Sequence, residues 1–490
     1  MSASVPSVDA QTLQPDQVAK IWVRHLTSLF FPVLSLSFLW TGPHAWYLAA
    51  LFMLPAVGIF VWDTTAHDER RQPVVALPAW PFDGLVYLLT GLHFLILFEL
   101  IRFFSVQGVF SADLVMLFLV VGANSGFSII TAHELIHRRK PWEQWLGRLM
   151  LCTVLYEHFY TEHLRGHHAR VGTPEDPATA RFGESYSAFF RRTLPAQFQS
   201  AWKLEAKRLG DESMRLFDRR MLKNRVLHGL VIGWGIAFAV LAGFGYAAFA
   251  AYLLQAWVAI RLLEAVNYFE HWGLMRRQAQ VSSVDSWDTY SWFTYYGLTG
   301  LSRHADHHAF PIRPYQQLRV FEEAPALPVG YIGSVDAVFA KNDDFMKTAA
   351  IELGRRGLGP FEEPGVSGEE ALARLGEARQ QEDRIDLDRR ATWKKRLSRS
   401  WKAVPMPARL ALVFAIILVG TTAGVQWETG GGEMGFGSRT GLHAWIFGSL
   451  AIVIPVRRYL GAHAIGEISS WGVALAMILA LGVCGDAIFY

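Results

Sequence analysis

The sequence predicts an all-α, polytopic membrane protein, and three observations support that fold class. Of its 490 residues, 52% are hydrophobic and only 18% are charged, whereas soluble domains carry about 25% charged residues. The apolar residues are gathered in runs close to the roughly 20 residues that a membrane-spanning helix needs. Basic residues cluster at alternate ends of these runs. The sequence therefore predicts a bundle of spanning helices and excludes an ordinary soluble domain.

Six apolar runs precede the last histidine cluster and form the predicted bundle. They are approximately Leu26–Trp40, His44–Trp62, Phe82–Ile101, Ala112–Ala132, Arg225–Phe244 and Tyr246–Val266. The shorter stretch Trp145–Tyr160 is more typical of a re-entrant or interfacial helix. Because Lys and Arg collect before the first run and after the second and fourth, the positive-inside rule places both ends of the bundle in the cytoplasm.

The chain is predicted to have four parts. Residues 1–25 form a cytoplasmic N-terminal segment, and residues 26–345 form the six-helix core. Residues 346–405 are rich in Glu, Arg and Gly, which predicts a charged cytoplasmic linker with helical stretches. Residues 406–490 are expected to form a C-terminal membrane segment of two to three helices, with apolar runs at Ala408–Trp427, Leu442–Val456 and Ser470–Tyr490.

Nine of the seventeen histidines lie in four short motifs near the ends of apolar runs, HELIH, EHLRGHH, NYFEHWG and RHADHH. They are His133, His137, His163, His167, His168, His271, His304, His307 and His308. Residues four apart share a helix face, which predicts the ligand pairs His133/His137, His163/His167 and His304/His308. Since nine imidazoles exceed the needs of one tetrahedral ion, the motifs predict two metal ions.

The first motif alone also fits a different class of protein. HELIH matches the HExxH pattern of zinc proteases, in which Glu134 would be the general base. A membrane zinc protease would use three ligands, however, and would leave the other clusters unexplained. Ionisable groups at membrane depth are costly and usually functional. Two metals held by neutral nitrogen donors beside an apolar bundle favour non-haem iron and dioxygen chemistry.

From about Lys20 to Lys341 the chain resembles the integral-membrane alkane 1-monooxygenases, non-haem di-iron alkane hydroxylases of the fatty acid desaturase/hydroxylase superfamily. The matching segments are TAHELIH, EHLRGHHARVGTPEDPATARFGES, NYFEHWGLMR and LSRHADHHAFPIRPYQQLR. The resemblance implies that the nine histidines bind two iron ions and that O₂ is a co-substrate. It also implies hydroxylation of the terminal methyl group of medium- or long-chain n-alkanes to 1-alkanols.

The same resemblance implies partners and a location. A rubredoxin and its NADH-dependent reductase would supply electrons, and the absence of a CxxC pair, with only Cys152 and Cys484 in the chain, fits a separate donor. The protein would lie in the bacterial inner membrane with its active site facing the cytoplasm. Part of the basic stretch Arg181–Arg225 is a candidate docking surface for an acidic rubredoxin, although membrane topology alone would also explain its charge.

Departures from the family pattern leave the substrate open. The first motif continues as HELIHRR, Trp272 follows His271, and the last motif begins LSRHADHH. Xylene- and cymene-type methyl hydroxylases share the four motifs, so an aromatic methyl group is an alternative substrate. A lipid desaturase or hydroxylase of the same superfamily is a further alternative. The sequence indicates no substrate-binding residue.

Four carboxylates adjoin the predicted ligands, and the resemblance implies that they accept hydrogen bonds from imidazole N–H groups and fix the histidine tautomers. They are Glu134, Glu162, Glu270 and Asp306. Asp176, in the TPEDP turn, is expected to brace the second motif, and His158 is expected to form hydrogen bonds. No catalytic group beyond the metal centre is expected.

Overall fold

A computed structural model of the chain describes residues 15–403, except 66–67, 74–76, 109–112, 114–120 and 216–217. Regular structure in this part is helical, with short 3₁₀ and π turns, which confirms the all-α fold class. The chain divides into two compact units, Met1–Arg390 and Ala391–Tyr490. The three apolar runs predicted after residue 406 lie outside the described residues.

The N-terminal half of the described chain contains nine helices. A 3₁₀ turn, Leu26–Leu29, joins the first two of them, and a π-helical turn, His163–His167, joins the last two. The nine are α1 (Pro15–His25), α2 (Phe30–Thr41), α3 (Trp46–Leu51), α4 (Met53–Thr65), α5 (Ala79–Gln107), α6 (Gly122–His137), α7 (Pro141–Thr153), α8 (His158–Glu162) and α9 (His168–Arg170).

Seven more helices are described in the remainder. The longest of them, α11, ends at a histidine, and α13 begins at one. They are α10 (Tyr186–Arg208), α11 (Arg225–His271), α12 (Trp292–Gly297), α13 (His304–Ala309), α14 (Tyr331–Ala340), α15 (Asn342–Arg356) and α16 (Gly368–Ala403).

Four stretches of the described chain are long and apolar enough to cross a membrane. They are Val18–Thr41, Trp46–Thr65, Ala79–Gln107 and Arg225–His271. The first and third contain the first and third predicted spans, and the second covers the predicted span His44–Trp62 from Trp46 onward. The fourth contains the fifth and sixth, because Gly245 breaks it with φ 81° and ψ −178°, a conformation that glycine adopts readily. Only the last part of the predicted span Ala112–Ala132 is described, as the beginning of α6.

The site is positioned by the helix ends that carry the histidine motifs. Helix α6 packs against α5, α7 and α11, so its last turn lies beside the last turn of α11. Helix α7 has only 13 residues and ends before the turn at Leu155, where φ is 56°. The stretch Trp145–Tyr160 is therefore two short helices rather than a span, as its length predicts.

The predicted linker differs from expectation in its first part. Met346 and Leu353 of α15, Phe361, and Ala371 and Leu375 of α16 are buried in the same apolar cluster as Trp272, beside the end of α11. Helices α15 and α16 thus supply core residues to the first unit. Only one narrow face of each helix packs against the core, so apolar residues are few among Glu and Arg. The composition of the segment therefore resembles that of a linker.

Candidate metal centre

The structure brings all nine predicted histidines together. They come from the last two turns of α6, the π turn between α8 and α9, the first residue of α9, the last residue of α11, and α13. They form two adjoining groups, in each of which the potential ligand atoms lie within 4.8 Å of one another. One group has five members and the other has four.

The five-histidine group contains His133, His137, His163, His168 and His307. The Nε2 atom of His163 lies 2.8 Å from that of His133, 3.0 Å from that of His137 and 3.0 Å from that of His168. His137 and His168 are half-buried, so this group lies closer to the surface. The four-histidine group contains His167, His271, His304 and His308, all buried.

The predicted pairing of His163 with His167 is wrong. His163 and His167 span a π-helical turn, in which residues five apart, rather than four, come into register. His163 therefore faces His168, and His167 turns to the other group, with its Nε2 atom 3.2 Å from that of His308. Single π turns inside helices are frequent at functional sites. The pairs His133/His137 and His304/His308 each fall within one group, as predicted.

The arrangement of nitrogen atoms fits metal ions. A neutral imidazole carries one N–H group, so the Nε2 atom of His163 cannot form hydrogen bonds with three other Nε2 atoms at once. Crowded, buried lone pairs of this kind are stabilised when they share a cation. Imidazole nitrogen is a ligand for zinc, copper and iron. The two groups therefore suit two ions, each bound through Nε2 atoms.

The electrostatics of the site keep these imidazoles in the ligand form. Burial lowers the pKa of His163, His168 and His308 well below the ordinary value, and the neighbouring imidazoles lower it further. Protonation of one ring would place a positive charge among the others in a desolvated site. These three rings are therefore in the neutral form that metal binding requires.

Asp176 braces the second motif, as its position in the TPEDP turn predicts. Its Oδ2 atom lies 2.9 Å from His167 Nδ1 and accepts a 2.6 Å hydrogen bond from the Thr179 hydroxyl. Burial alone would raise the pKa of the Asp176 carboxyl, but His167 and Thr179 outweigh it and lower the pKa to about 2. The ionised carboxylate fixes the proton of His167 on Nδ1 and leaves Nε2 free to bind a metal.

Three of the four carboxylates that adjoin ligands in sequence contact arginine rather than imidazole. Glu134 pairs with Arg138 at 3.1 Å, Glu162 with Arg170 at 2.7 Å, and Asp306 with Arg313 at 2.7 Å. The reason is geometric, because a residue adjacent to a helical ligand points about 100° away from it. These side chains brace the motifs from the side that faces away from the metal site.

Glu270 is the exception. One of its oxygens lies 3.2 Å from His304 Nε2, the atom that faces the metal site, and the other accepts a 2.6 Å hydrogen bond from Tyr331. Tyr331 lies outside all four motifs, and sequence reasoning did not identify it. Ser286, 3.5 Å from His271 Nδ1, was also missed. Neither residue has a local signal, because each reaches the site from a separate loop or helix.

A small, largely apolar cavity opens onto the histidines. His133, His163 and His304 form part of its wall, together with Glu270. The remaining lining is largely apolar and comes from α6, α8, α11 and the segments that pack against them: Gly126, Phe127, Ile129, Ile130, Phe159, Leu262, Leu263, Val266, Asn267, Leu301 and Val335.

Comparison with known proteins supports a specific family. The profile of the fatty acid desaturase family matches residues 112–330. Alkane 1-monooxygenase 1 of Pseudomonas aeruginosa is 41% identical over 217 residues, which are 42% of this chain and 55% of the relative. Alkane 1-monooxygenase 1 of Alcanivorax borkumensis is 31% identical over 335 residues, which are 66% of this chain and 82% of the relative.

A xylene/toluene monooxygenase hydroxylase component, XylM of Pseudomonas putida, is more distant, at 26% identity over 40% of this chain and 53% of its own length. The chain spans about half the length of the Pseudomonas aeruginosa relative but more than four fifths of the Alcanivorax relative. The histidine motifs, the helical membrane fold and this long match agree with one another. The chain belongs to the alkane 1-monooxygenase family, within the fatty acid desaturase/hydroxylase superfamily.

Proposed function

We propose that this protein hydroxylates the terminal methyl group of medium- or long-chain n-alkanes, with O₂ as co-substrate and two iron ions bound by the nine histidines. The observation that carries the proposal is the junction of the histidine groups with the apolar cavity. A saturated chain offers no group for hydrogen bonding, so an apolar cavity is suited to bind it. Bound iron would supply the oxidising power that side chains lack.

The described side chains have definite tasks in this reaction. Ile129, Ile130 and Val266 give the cavity an apolar wall, which suits a hydrocarbon chain better than water. His133, His163 and His304 lie in the cavity wall, so a terminal carbon in the cavity can approach the metal site. Tyr331 donates a hydrogen bond to Glu270 and holds that carboxylate beside His304.

The structure favours this function over a zinc protease. In a protease built on HELIH, Glu134 would face the metal and activate water. Here Glu134 pairs with Arg138, and both HELIH histidines belong to a group of five. A desaturase and an aromatic methyl hydroxylase would use the same metal centre. Only the reaction products distinguish these two activities from alkane hydroxylation.

The electron donor is proposed to be a rubredoxin reduced by its NADH-dependent reductase, docked on the surface that follows the last histidine motif. We call this the docking surface, formed by Phe310, Ile312, Arg313 and Arg319. Phe310 and Ile312 are exposed, and the guanidinium groups of Arg313 and Arg319 lie over the Phe310 ring. Two arginines share the single carboxylate of Asp306, so the surface keeps a positive charge that an acidic protein can meet.

The basic stretch Arg181–Arg225 is less suitable than its sequence suggests. Arg191 pairs with Asp386 of α16, Arg181 with Glu382 of the same helix, and Arg192 with Glu184. Since these charges are compensated within the chain, they attract a partner weakly.

The protein is proposed to lie in the bacterial inner membrane, with its metal site on the cytoplasmic side. The basic residues that flank the spans support this orientation.

The docking surface is tested by Ile312→Glu, which places a negative charge at its exposed centre. We expect electron transfer from reduced rubredoxin to slow about tenfold, more so at low salt, because like charges repel over about 10 Å at 0.1 M salt. Arg220→Glu, in the basic stretch, is the control and should have little effect. Equal rates in Ile312→Glu and the unmodified protein would exclude this surface.

The function is tested by turnover of the full-length protein in membranes with rubredoxin, its reductase and NADH. Octane and hexadecane should yield 1-octanol and 1-hexadecanol. Activity confined to xylene would replace the alkane by an aromatic substrate. Alkene products would indicate a desaturase, and no oxidation of any hydrocarbon by iron-loaded protein would overturn the proposal.

A further inference from the structure

A buried loop segment outside the four motifs contacts two of them. It consists of residues 286–289, in the loop between α11 and α12, and we call it the bridging segment. The third motif supplies His271, and the fourth supplies His304 and His308, so that together they provide three members of the four-histidine group. A segment that bonds to both motifs can therefore set the distance between these imidazoles.

The first half of the bridging segment bonds to the third motif. The Trp287 amide donates to the Glu270 carbonyl at 2.9 Å, and the indole N–H of Trp287 donates to the Trp272 carbonyl at 2.9 Å. Ser286 places its hydroxyl 3.5 Å from His271 Nδ1. The last carbonyls of a helix have no partner within it. Trp287 satisfies the two carbonyls that flank His271 and so fixes the backbone at that residue.

The second half of the segment bonds to the fourth motif. The Oδ1 atom of Asp288 accepts a 2.8 Å hydrogen bond from the backbone amide of Ala305, in the first turn of α13. The Thr289 amide donates to the Ser302 carbonyl at 3.0 Å. These two contacts lie on either side of His304, so the bridging segment holds the start of the helix that carries this ligand.

Helix α13 needs such support because it has only six residues, and a helix this short is unstable alone. The side chain of Arg303, the residue before it, does not cap its first turn. Asp288 supplies the acceptor that this turn lacks. The position of Asp288 is fixed in turn, because its amide donates to the Pro325 carbonyl at 2.9 Å and its carbonyl accepts from the Leu327 amide at 2.8 Å.

The Asp288 side chain acts mainly through this one hydrogen bond. Its other oxygen, Oδ2, has no hydrogen-bond partner among the described residues. Leucine at this position would leave the buried Ala305 amide without an acceptor, which costs the desolvation free energy of that group. Asparagine would keep an acceptor oxygen at the same place. The two substitutions therefore separate the hydrogen bond from the shape of the side chain.

We propose that Asp288 is a positioning residue of the metal centre, which holds α13 so that His304 and His308 face the four-histidine group. The proposal rests on the function proposed above, which needs two ions. The Nε2 atom of His304 lies 3.3 Å from that of His271 and 3.0 Å from that of His308. Metal ligands must be held to within about 0.5 Å, so a small shift of α13 separates these atoms too far to share an ion.

The test is the iron content per chain of full-length Asp288→Leu and Asp288→Asn, purified from membranes. We expect Asp288→Leu to keep about one iron ion instead of about two, with ligands of the kind that bind iron through imidazole. The reason is that α13 supplies one of five imidazoles to one group but two of four to the other. Mössbauer spectroscopy, which distinguishes iron ions by their ligands, should show that one of two iron environments is lost. Asp288→Asn should keep both.

The matched control for a general loss of stability is Asp285→Leu. Asp285 is a buried carboxylate in the same loop, and among the described residues its side chain accepts hydrogen bonds from Ser282 alone, at 2.8 Å and 2.9 Å. This variant should keep both iron ions even where its unfolding temperature falls. If Asp288→Leu does not fold, as judged by circular dichroism, Asp288→Ala replaces it, because alanine removes the acceptor without adding bulk.

Each outcome decides the proposal. Full iron content in the folded leucine or alanine variant would overturn it, as would equal iron loss in Asp288→Asn or in Asp285→Leu. Loss of one iron environment in the variant without an acceptor, with both retained in Asp288→Asn, would support it. An unmodified protein that contains no iron would instead count against the proposed function itself.

Discussion

At the residue scale, the histidine motifs predict the metal site because a metal ligand requires only an imidazole placed at a helix end. The motifs do not predict how each imidazole is oriented. That depends on partners such as Asp176, which reaches His167 from a turn nine residues later in the chain. A ring with its Nδ1–H fixed by a carboxylate presents Nε2 to the metal without further reorganisation.

Asp176→Asn should therefore weaken the four-histidine group. The amide can donate as well as accept, so it no longer fixes the His167 tautomer, and we expect a 10–100-fold loss of metal affinity or activity. Iron per chain after dialysis against a chelator is the measurement. Glu175→Gln, at the exposed neighbouring position, is the control. Full iron retention and activity in Asp176→Asn would show that the carboxylate does not orient His167.

Val266→Phe should shorten the range of alkanes accepted. Val266 is 8% exposed and lines the cavity next to the histidines, so a phenyl ring there occupies space that a long chain needs. Discrimination in apolar pockets is about 1–3 kcal/mol per methylene-sized change. The kcat/KM for hexadecane should fall at least about tenfold relative to that for octane.

The matched control for this variant is Val231→Phe on the same helix, because Val231 is 65% exposed and lies away from the cavity. It should leave the ratio of the two kcat/KM values unchanged. If Val266→Phe leaves that ratio unchanged as well, the cavity is not where the alkane chain binds.

At the element scale, the sequence predicts which segments are helices better than it predicts how they meet. Apolar length identifies the spans, and a glycine at the right place divides α11 into two. The π turn at His163–His167, the arginine partners of Glu134 and Glu162, and the burial of Phe345 all depend on residues far apart in the chain. Local periodicity carries no information about such contacts.

Asp63, at the end of α4, is the clearest of these long-range contacts. Its buried carboxylate accepts four hydrogen bonds from the segments on either side of the last histidine motif. The donors are the Ser291 hydroxyl at 2.6 Å, the Thr294 hydroxyl at 2.6 Å, the Ile332 amide at 2.8 Å and the Gly333 amide at 3.2 Å. The carboxylate thus caps the N-terminus of α14 and fixes that helix and α12 to the bundle.

Asp63→Ala should destabilise the protein by about 3 kcal/mol, because it leaves several buried donors without an acceptor. The unfolding temperature of the detergent-solubilised protein is the measurement, and it should fall by several degrees. Asp68→Ala removes a carboxylate whose side chain is 93% exposed and should have little effect. Equal unfolding temperatures for the two variants would show that the Asp63 network contributes nothing to stability.

At the scale of the whole molecule, the metal site, the cavity and the core that supports them all lie within the first compact unit. That core includes Phe345, Met346, Leu353 and Phe361. The charged segment after residue 345, which holds three of these four side chains, therefore contributes to the core of the first unit and is more than a connection to the C-terminal residues.

Truncation separates these parts of the chain. Deletion of residues 404–490 should leave iron content and alkane turnover within about two-fold of the full-length values, since all nine histidines and their core remain. Deletion of residues 342–490 should abolish both, because removal of several large buried side chains costs about 2–5 kcal/mol for each. Comparable iron content in the shorter protein would contradict the assignment of α15 and α16 to the catalytic core.

The proposed function depends above all on two iron ions held by nine histidines at the mouth of an apolar cavity. The most direct test measures how much iron and zinc the full-length protein contains per chain. The protein is purified from bacterial membranes and analysed by elemental mass spectrometry. About two iron ions per chain, with little zinc, is the expected result for nine imidazoles in two groups. One zinc ion per chain, with no iron, would contradict the di-iron assignment and favour a hydrolase.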